Sequence, residues 1–192
     1  VNQVFKDTTH ENFIEAALAT KGLVMKDQHN LVEASFHSTC GGHTASAKSV
    51  FGREYSYLQS KSCSYCEKSP SFNWTVSVPL SSIEQTFNIN PKSIKINEKQ
   101  GVRAKNLILT QNNKNISVKA HDFRMKISPM KVKSTYITDV SIKGSDLHIQ
   151  GHGFGHGVGM CQYGAKEMAS KGKNFKNILS YYYKNISINK IY

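Results

Sequence analysis

The spacing of apolar residues predicts a short helix near the start of the chain, followed by two strands. Between His10 and Lys21, apolar side chains recur at helical spacing, and Gly22 stands just beyond as a helix-ending signal. Strands are predicted at Leu23–Met25 and Leu31–Phe36, on either side of a polar turn. The chain therefore opens with a helix and a pair of strands joined by a turn.

The middle third of the chain alternates mostly as short strands. One segment, Leu80–Phe87, fits a helix instead. Asn112-Asn113 and Lys143-Gly144 supply turn residues between strands. The predicted strands are Trp74–Val78, Ser93–Ile96, Asn106–Thr110, Ile116–Lys119 and Asp146–Gln150.

Glycine dominates the next segment, and two helical patterns follow it. Helices are predicted at Gln162–Ser170 and Asn174–Tyr183, and the alternating tail from Ile186 suits a final strand. The resulting class is α+β, a β-rich domain with a few short helices. We expect a single domain over residues 1–192, in which residues 1–71 and 151–192 form a core around a groove and residues 72–150 form a β-rich lobe.

Composition adds a packed core and a strong positive charge. Hydrophobic residues make up 39% of the 192 residues and aromatics 10%, which favours a folded domain over disorder. The 25 Lys and Arg against 13 Asp and Glu give a formal charge of +12, which favours an anionic partner such as nucleic acid, a membrane surface or an acidic polymer. The densest basic stretch, Arg124–Lys133, is interleaved with apolar residues, so we expect solvated faces of strands rather than a nucleic-acid arm. No run approaches the ~18 apolar residues that a membrane span needs.

The most informative segment is the glycine-rich run Gly151–Ala165. Its first five glycines stand at alternate positions, which lets the backbone approach itself or a ligand closely. His156 and Gln162 lie near the start of the next helix, where unpaired amide groups can hold an anion or a ligand oxygen. A nucleotide loop is disfavoured, because no lysine follows the glycines and the spacing differs from a dinucleotide fingerprint. A tight strand-to-helix joint without a ligand is the alternative.

Four short motifs occur in order along the chain. Phe36–Thr44 reads FHSTCGGHT, and Gly155–Ala165 reads GHGVGMCQYGA. The other two are Tyr57-Leu58 followed later by Trp74, and Phe123-Arg124 followed by Lys133-Ser134-Thr135-Tyr136. In these motifs and their order the chain resembles the stage II sporulation protein D family over nearly its whole length.

This resemblance implies a lytic transglycosylase that acts on peptidoglycan glycan strands, particularly strands already stripped of stem peptides. Such an enzyme cleaves between N-acetylmuramic acid and N-acetylglucosamine without water: one carboxylic acid protonates the leaving oxygen, and the muramic acid 6-hydroxyl closes a 1,6-anhydro ring. The family's catalytic glutamate lies close to an alanine-rich helix. Because Val1–Phe5 resembles a stretch downstream of that helix, we expect the acid upstream of Val1 and the supplied chain to be inactive alone. Glu11 and Glu15 belong to the next helix and are not assigned as the acid.

The resemblance also implies an extracytoplasmic place in the cell envelope, membrane-anchored or secreted, with peptidoglycan glycan strands as the partner. A non-catalytic, zinc-stabilised glycan-binding module that assists a cell-wall amidase is the main alternative. A basic module for nucleic acid is a third, hinted at by Tyr181–Lys184, but we expect those tyrosines to pack and expect no nucleic-acid partner. The residues expected to contact the substrate are His37, Ser38, Thr39, His156 and Gln162.

Two cysteines have the spacing of a metal-binding pair. Cys63 and Cys66 are separated by two residues, which lets both sulfurs reach one tetrahedral ion. Cys40 stands three residues after His37 and three before His43, so a zinc site of three cysteines and one histidine fits. We place His37 ahead of His43 because strand geometry holds it, and four protein ligands would make the zinc structural.

Other states of these cysteines stay open. A disulfide is the main alternative, because the family that the chain resembles works outside the cytoplasm. Free thiols are the third possibility. Cys161 stands where relatives in the family use serine, so it is expected to be a small buried residue.

Overall fold

The computed structural model describes residues 10–192 and confirms the α+β class. The motif-like stretch Val1–Phe5 lies outside the described residues. The helices are α1 (Glu11–Ala19), α2 (Ala47–Phe51), α3 (Leu80–Phe87), α4 (Ala120–Ile127), α5 (Gln162–Ser170) and α6 (Phe175–Tyr182), with a 3-10 turn at Ser64–Cys66. The strands are β1 (Leu23–Asp27), β2 (Asn30–Leu31), β3 (Phe36–His37), β4 (Asn73–Pro79), β5 (Ser93–Gln100), β6 (Arg103–Gln111), β7 (Lys114–Lys119), β8 (Ile137–Lys143), β9 (Asp146–His152), β10 (Met160–Cys161) and β11 (Ser187–Lys190).

Contacts divide the chain into two compact units. The smaller contains residues 10–33 and 186–192. In it, α1 precedes β1 along the chain, and β1 pairs antiparallel with both β2 and β11. The larger runs from Ala34 to Asn185. None of the helices in residues 10–192 has the length and apolar character needed to cross a membrane.

The larger unit is built on two three-stranded antiparallel sheets and one short parallel pair. The sheets have the strand orders β4-β9-β8 and β5-β6-β7, and β3 pairs with β10. The main core lies between the sheets and helices α3 and α4, whose Phe87 and Phe123 rings stack with centroids 5.4 Å apart. Alternate residues of β9, Leu147 and Ile149, are fully buried in this core, as expected for a central strand.

Most of the predicted elements are confirmed. Helices α3 and α5 have the predicted bounds, and the turns at Asn112-Asn113 and Gly144 all have positive φ. The predicted strand Leu31–Phe36 is wrong as one element, because only its ends lie in β2 and β3 and the chain passes from one unit to the other near Glu33.

The basic stretch Arg124–Lys133 was also expected to form strand faces, and that expectation is wrong. Its first four residues end α4, and a turn follows. The reason is that Phe123, just before this stretch, is fully buried and anchors one face of a helix against α3, so the flanking lysines and arginine follow helical geometry.

Candidate functional site

The parallel pairing of β3 with β10 brings the two longest sequence motifs side by side. Met160 pairs with Phe36 and Cys161 with His37, although each pair is more than a hundred residues apart in sequence. The contact continues beyond the strands: Thr39 and Phe154 exchange two backbone hydrogen bonds of 3.1 and 2.7 Å. The FHST and glycine-rich motifs therefore form one continuous surface.

Glycine permits this close approach. Gly159 has φ +71, and a Cβ there would overlap with the carbonyl oxygen of Ser35, to which Met160 donates a 3.1 Å hydrogen bond. Any larger residue would both strain the backbone and push the two motifs apart. The alternating glycines thus serve the packing of the motif on its neighbour.

Two of the five predicted substrate residues are buried. His37 is 4% exposed, and its Nδ1 lies 3.1 Å from the carbonyl oxygen of Val158, so Nδ1 carries the proton. Burial, with the nearby Arg103 charge second, lowers the pKa of His37 to about 3, which keeps the ring neutral. Thr39 is fully buried and its hydroxyl lies 2.7 Å from that of Ser69. Both residues hold the motif in place from beneath.

The other three predicted residues are more accessible. Ser38 and His156 are half-buried, and Gln162 is exposed at the first position of α5. His156 is fixed by a 3.0 Å hydrogen bond that its Nδ1 accepts from the Val158 amide, and burial lowers its pKa. Its ring also lies near Phe51, at a centroid distance of 5.2 Å. These three side chains are the part of the predicted groove that a ligand can reach.

The structure gathers all four cysteines into one buried group. The Sγ atoms of Cys40, Cys63, Cys66 and Cys161 lie within 4.8 Å of one another. None of them forms a disulfide, and the Cys40 and Cys66 sulfurs are 3.3 Å apart. Four thiolates around one tetrahedral ion at a Zn–S length of about 2.3 Å would be about 3.8 Å apart, so the group could hold a metal ion.

Hydrogen bonds around the sulfurs suit thiolates. Cys161 Sγ accepts from the amides of Cys40 (3.3 Å) and Gly164 (3.4 Å), the second as the N-cap bond of α5. The Tyr182 hydroxyl lies 3.3 Å from the Cys63 sulfur. Such outer donors orient and stabilise metal-bound thiolates.

Contacts within the group shift the pKa values of the thiols in opposite directions. Hydrogen bonds with Cys161 lower the pKa of Cys66 to about 6 and raise that of Cys40. Four thiols this close cannot all ionise unless a cation neutralises them. The group is therefore chemically suited to a divalent metal.

The fourth member of this group differs from the sequence prediction. Neither His37 nor His43 belongs to it: His37 Nδ1 is engaged by Val158, and His43 Nδ1 lies 2.9 Å from the Thr44 carbonyl oxygen. Cys161 takes that place, buried as expected but with its sulfur among the other three. The sequence spacing could not reveal this, because the β3–β10 pairing brings Cys161 to Cys40 from 121 residues away.

Sequence reasoning also missed a basic cavity of about 190 Å³ beside the glycine-rich motif. It contains Arg124 and Thr135, which the motifs included without a role. It also contains Arg103, which precedes the predicted strand Asn106–Thr110 and was given no role. The residues that line it are Ser49, Val50, Gln100, Arg103, Ala104, Lys105, Asn106, Lys119, His121, Arg124, Thr135, Gly155 and His156.

The remaining motif residues have structural places. Tyr57, Leu58 and Trp74 are buried, so the YL pair and the tryptophan contribute packing. Tyr182 and Tyr183 are buried too, as the sequence predicted for that cluster, while Lys61 Nζ lies 3.3 Å from the centre of the Tyr181 ring.

Comparison with known proteins gives clear relatives, although no protein-family model matches the chain. Stage II sporulation protein D of Bacillus subtilis is 27% identical over 185 residues, which cover 96% of this chain and 53% of that protein. The protein of the same name from Bacillus amyloliquefaciens is 27% identical over 176 residues, 91% of this chain and 50% of that protein. The chain is homologous to stage II sporulation protein D.

The resemblance seen in the motifs of this stage II sporulation protein D homologue is thereby confirmed. An uncharacterized protein of Brachyspira hyodysenteriae is 34% identical over 82% of the chain, and a protein named amidase enhancer from Bacillus subtilis is 28% identical over 91%. The chain spans about half the length or less of these curated relatives.

Proposed function

We propose that this domain holds a peptidoglycan glycan strand for cleavage by a lytic transglycosylase mechanism that yields 1,6-anhydro-muramic acid ends. The observation that carries the proposal is the β3–β10 pairing, which brings together the two polar motifs that we predicted to contact a glycan. The homology to proteins named for sporulation and for amidase enhancement supports a role in the cell wall.

The accessible side chains suit a sugar polymer. A glycan strand offers hydroxyl and amide groups, and it needs several donors and acceptors in a fixed array. Ser38, His156 and Gln162 provide hydroxyl, ring-nitrogen and amide groups, and the first two are held in a rigid backbone frame. Phe51, 43% exposed and next to His156, adds an apolar surface on which a sugar ring can pack.

The catalytic acid is expected from outside these residues. Among the residues that line the cavity beside His156 there is no Asp or Glu. A lytic transglycosylase needs one carboxylic acid at the leaving oxygen. The family resemblance implies an acid near an alanine-rich helix that precedes these motifs, so we propose that such a segment supplies the acid and that this domain binds the strand.

The test separates binding from cleavage. Peptide-stripped glycan strands are incubated with the 192-residue chain and with a longer version extended upstream, and mass spectrometry looks for 1,6-anhydro ends. We expect both versions to bind strands and only the longer one to cleave, because general acid catalysis contributes about a hundredfold to ten-thousandfold. Cleavage by the short chain would contradict the assignment of the acid, and absence of binding by both would reject the function.

Gln162→Ala tests the binding surface itself. It removes an exposed amide at the start of α5, and the loss of one or two net hydrogen bonds should weaken strand binding about two- to tenfold. Ser170→Ala, at the other end of the same helix, is the matched control and should bind as the wild type does. Equal affinity of all three proteins, with unchanged circular dichroism, would exclude Gln162 from the binding surface.

A second function, glycan binding that assists a cell-wall amidase, is favoured by one specific observation. The relative named amidase enhancer matches 91% of this chain. Under this reading neither version cleaves strands, and the domain instead raises the rate at which a purified cell-wall amidase releases stem peptides. The cleavage assay therefore decides between the two functions.

We also propose that the four-cysteine group holds a structural zinc ion. The ligands would be Cys40, Cys63, Cys66 and Cys161, which leaves no open coordination position for substrate or water. The ion would fix the end of β3, the 3-10 turn and the start of α5 to one another. Its role would therefore be to hold the polar motifs in register, in a protein that we place outside the cytoplasm.

A further inference from the structure

The basic cavity beside the glycine-rich motif lies wholly within the larger unit. Its walls come from α2, the start of β6, the end of β7, α4 and the glycine-rich segment at Gly155 and His156. The β-rich middle of the chain thus contributes to the same face as the polar motifs. This position makes the cavity a candidate for part of the substrate site.

The charge of the cavity is one-sided. Its lining includes Arg103, Lys105, Lys119 and Arg124 and no acidic residue. Lys105 is paired with Glu98 at 2.8 Å, and Arg124 donates to the carbonyl oxygens of two residues after α4. In the described part of the chain, no ion pair engages Arg103 or Lys119.

Arg103 is the most unusual of these cations. It is 4% exposed, and Nη2 donates to the Cys40 carbonyl oxygen at 3.3 Å, whereas Nε and Nη1 have no hydrogen-bond partner. The guanidinium lies flat against Gly157, where a Cβ would overlap with it. Burial lowers the Arg103 pKa to about 10, so the group still carries its charge at neutral pH.

A buried cation with unpaired N–H groups is costly unless a ligand satisfies it. Each unsatisfied buried donor costs about 1–3 kcal/mol, and more when the donor is charged. The Cys40 carbonyl satisfies only one of the three guanidinium nitrogens. An anion in the cavity would offset the charge of Arg103 and of the other cations in the lining.

We propose that this cavity binds the free carboxylate on the lactyl ether of N-acetylmuramic acid, the group exposed when the stem peptide is removed. The inference rests on the proposed function, because a glycan strand is the ligand. Of the groups on such a strand, only this carboxylate is anionic once the peptide is gone. In an intact strand the same carbon is an amide that carries a peptide, so it offers no negative charge to the cavity.

The cavity therefore explains selection of stripped strands through chemistry on this chain. A carboxylate gains charge-assisted hydrogen bonds from arginine and lysine. An amide lacks that charge and cannot form the same interaction. Selection would then arise from attraction of the free acid.

The test compares peptide-stripped strands with the same strands after their carboxylates are converted to methyl esters. Binding of each to the wild-type 192-residue chain is measured by calorimetry at physiological salt. We expect the acid form to bind about tenfold or more tightly than the ester, the scale of a charged hydrogen bond. Equal affinity for the two overturns this inference and leaves the proposed function standing, whereas failure to bind either form overturns both.

Two variants locate the effect. Lys119→Ala removes an exposed cation of the lining and should reduce the preference for the acid form over the ester several-fold. Lys143→Ala, an exposed lysine outside the lining, is the charge-matched control and should keep the full preference. An equal reduction in both lysine variants overturns the inference, because it would show a general effect of net charge.

Arg103→Gln is the stronger test where it folds. It should abolish the preference, and circular dichroism checks the fold, since Arg103 is buried. If this variant fails to fold, Lys119→Ala and its control decide the question. A short DNA duplex that fully displaces the strands from the wild type at physiological salt also overturns the inference, because it would show binding by unspecific charge.

Discussion

Replacement of Cys161 by serine tests the proposed metal site at the one ligand that the sequence analysis did not include. Cys161→Ser keeps an N-cap acceptor for the Gly164 amide but removes one of four thiolates. We expect the wild type to hold about one equivalent of zinc after purification and dialysis. The variant should keep less than about a tenth of an equivalent, because a tetrahedral structural site needs all four ligands.

The effect on stability follows from linkage. If free zinc stands a thousandfold above its dissociation constant, binding to the folded state contributes about 4 kcal/mol. For a domain of 150–250 residues, each kcal/mol moves the melting temperature by about 2–4 °C, so removing the metal should lower it by about 8–16 °C. All four cysteines lie in the larger unit, so the melting temperature of that unit is the one that should fall.

The assay combines metal analysis with melting curves for both proteins, with and without chelator. In chelator the wild type and Cys161→Ser should melt within a few degrees of each other, because the metal contribution is then absent from both. His43→Ala is the control and should keep its zinc, since its Nδ1 lies against a backbone carbonyl outside the sulfur group. The reasoning is refuted if Cys161→Ser retains a full equivalent, and the earlier histidine assignment returns if His43→Ala loses it.

Two further predictions concern the frame beneath the motifs. The pKa of His37 is about 3 in the folded protein, against an ordinary value of 6.5. Below pH 6.5 the unfolded protein therefore takes up a proton that the folded protein does not. The free energy of unfolding should fall by up to about 5 kcal/mol as pH drops from about 6.5 to 3. Urea unfolding in chelator, which excludes metal loss, should show this slope in the wild type and lose it in His37→Gln; an equal slope in both would contradict it. Gly159→Ala should cost about 2–4 kcal/mol, from strain at φ +71 and the Ser35 overlap. Gly172→Ala, at φ +78 in open space, has the backbone strain alone and should cost about 1–2 kcal/mol. Equal losses in the two alanine variants would show that the close contact has no role.

The sequence predicted elements best where local pattern alone decides them. Helix α3 and five of the six strands in the two larger sheets follow from periodicity, whereas β8 was not predicted; the Asn112-Asn113 turn follows from residue type. It failed at α4, where helical packing of Phe123 on Phe87 outweighs a pattern that also fits strand faces. That contact joins residues 36 positions apart, so no local window contains the information.

In the candidate site, too, the features set by local spacing were predicted and those set by distant contacts were not. Spacing was sufficient for Cys63 and Cys66, which lie on one turn, and the glycine pattern marked the segment that approaches Ser35. Cys161 is buried as predicted, but its position beside Cys40 depends on the pairing of β10 with β3, which no local spacing reveals. Arg103 was missed because it lies outside the predicted strand Asn106–Thr110, and its burial with two unpaired nitrogens becomes visible only in three dimensions.

Arg103 is also where the two parts of the site meet. Its Nη2 donates to the carbonyl oxygen of Cys40, a proposed zinc ligand, while its side chain lines the cavity proposed for the carboxylate. A zinc ion with four thiolates carries a net charge of −2, and a nearby guanidinium offsets part of it, which makes burial of both groups less costly. On these two proposals the same arginine would be held beside the metal site on one side, and substrate would offset its charge on the other. A structural zinc ion would then fix the position of the cation that we propose to distinguish a free acid from a peptide.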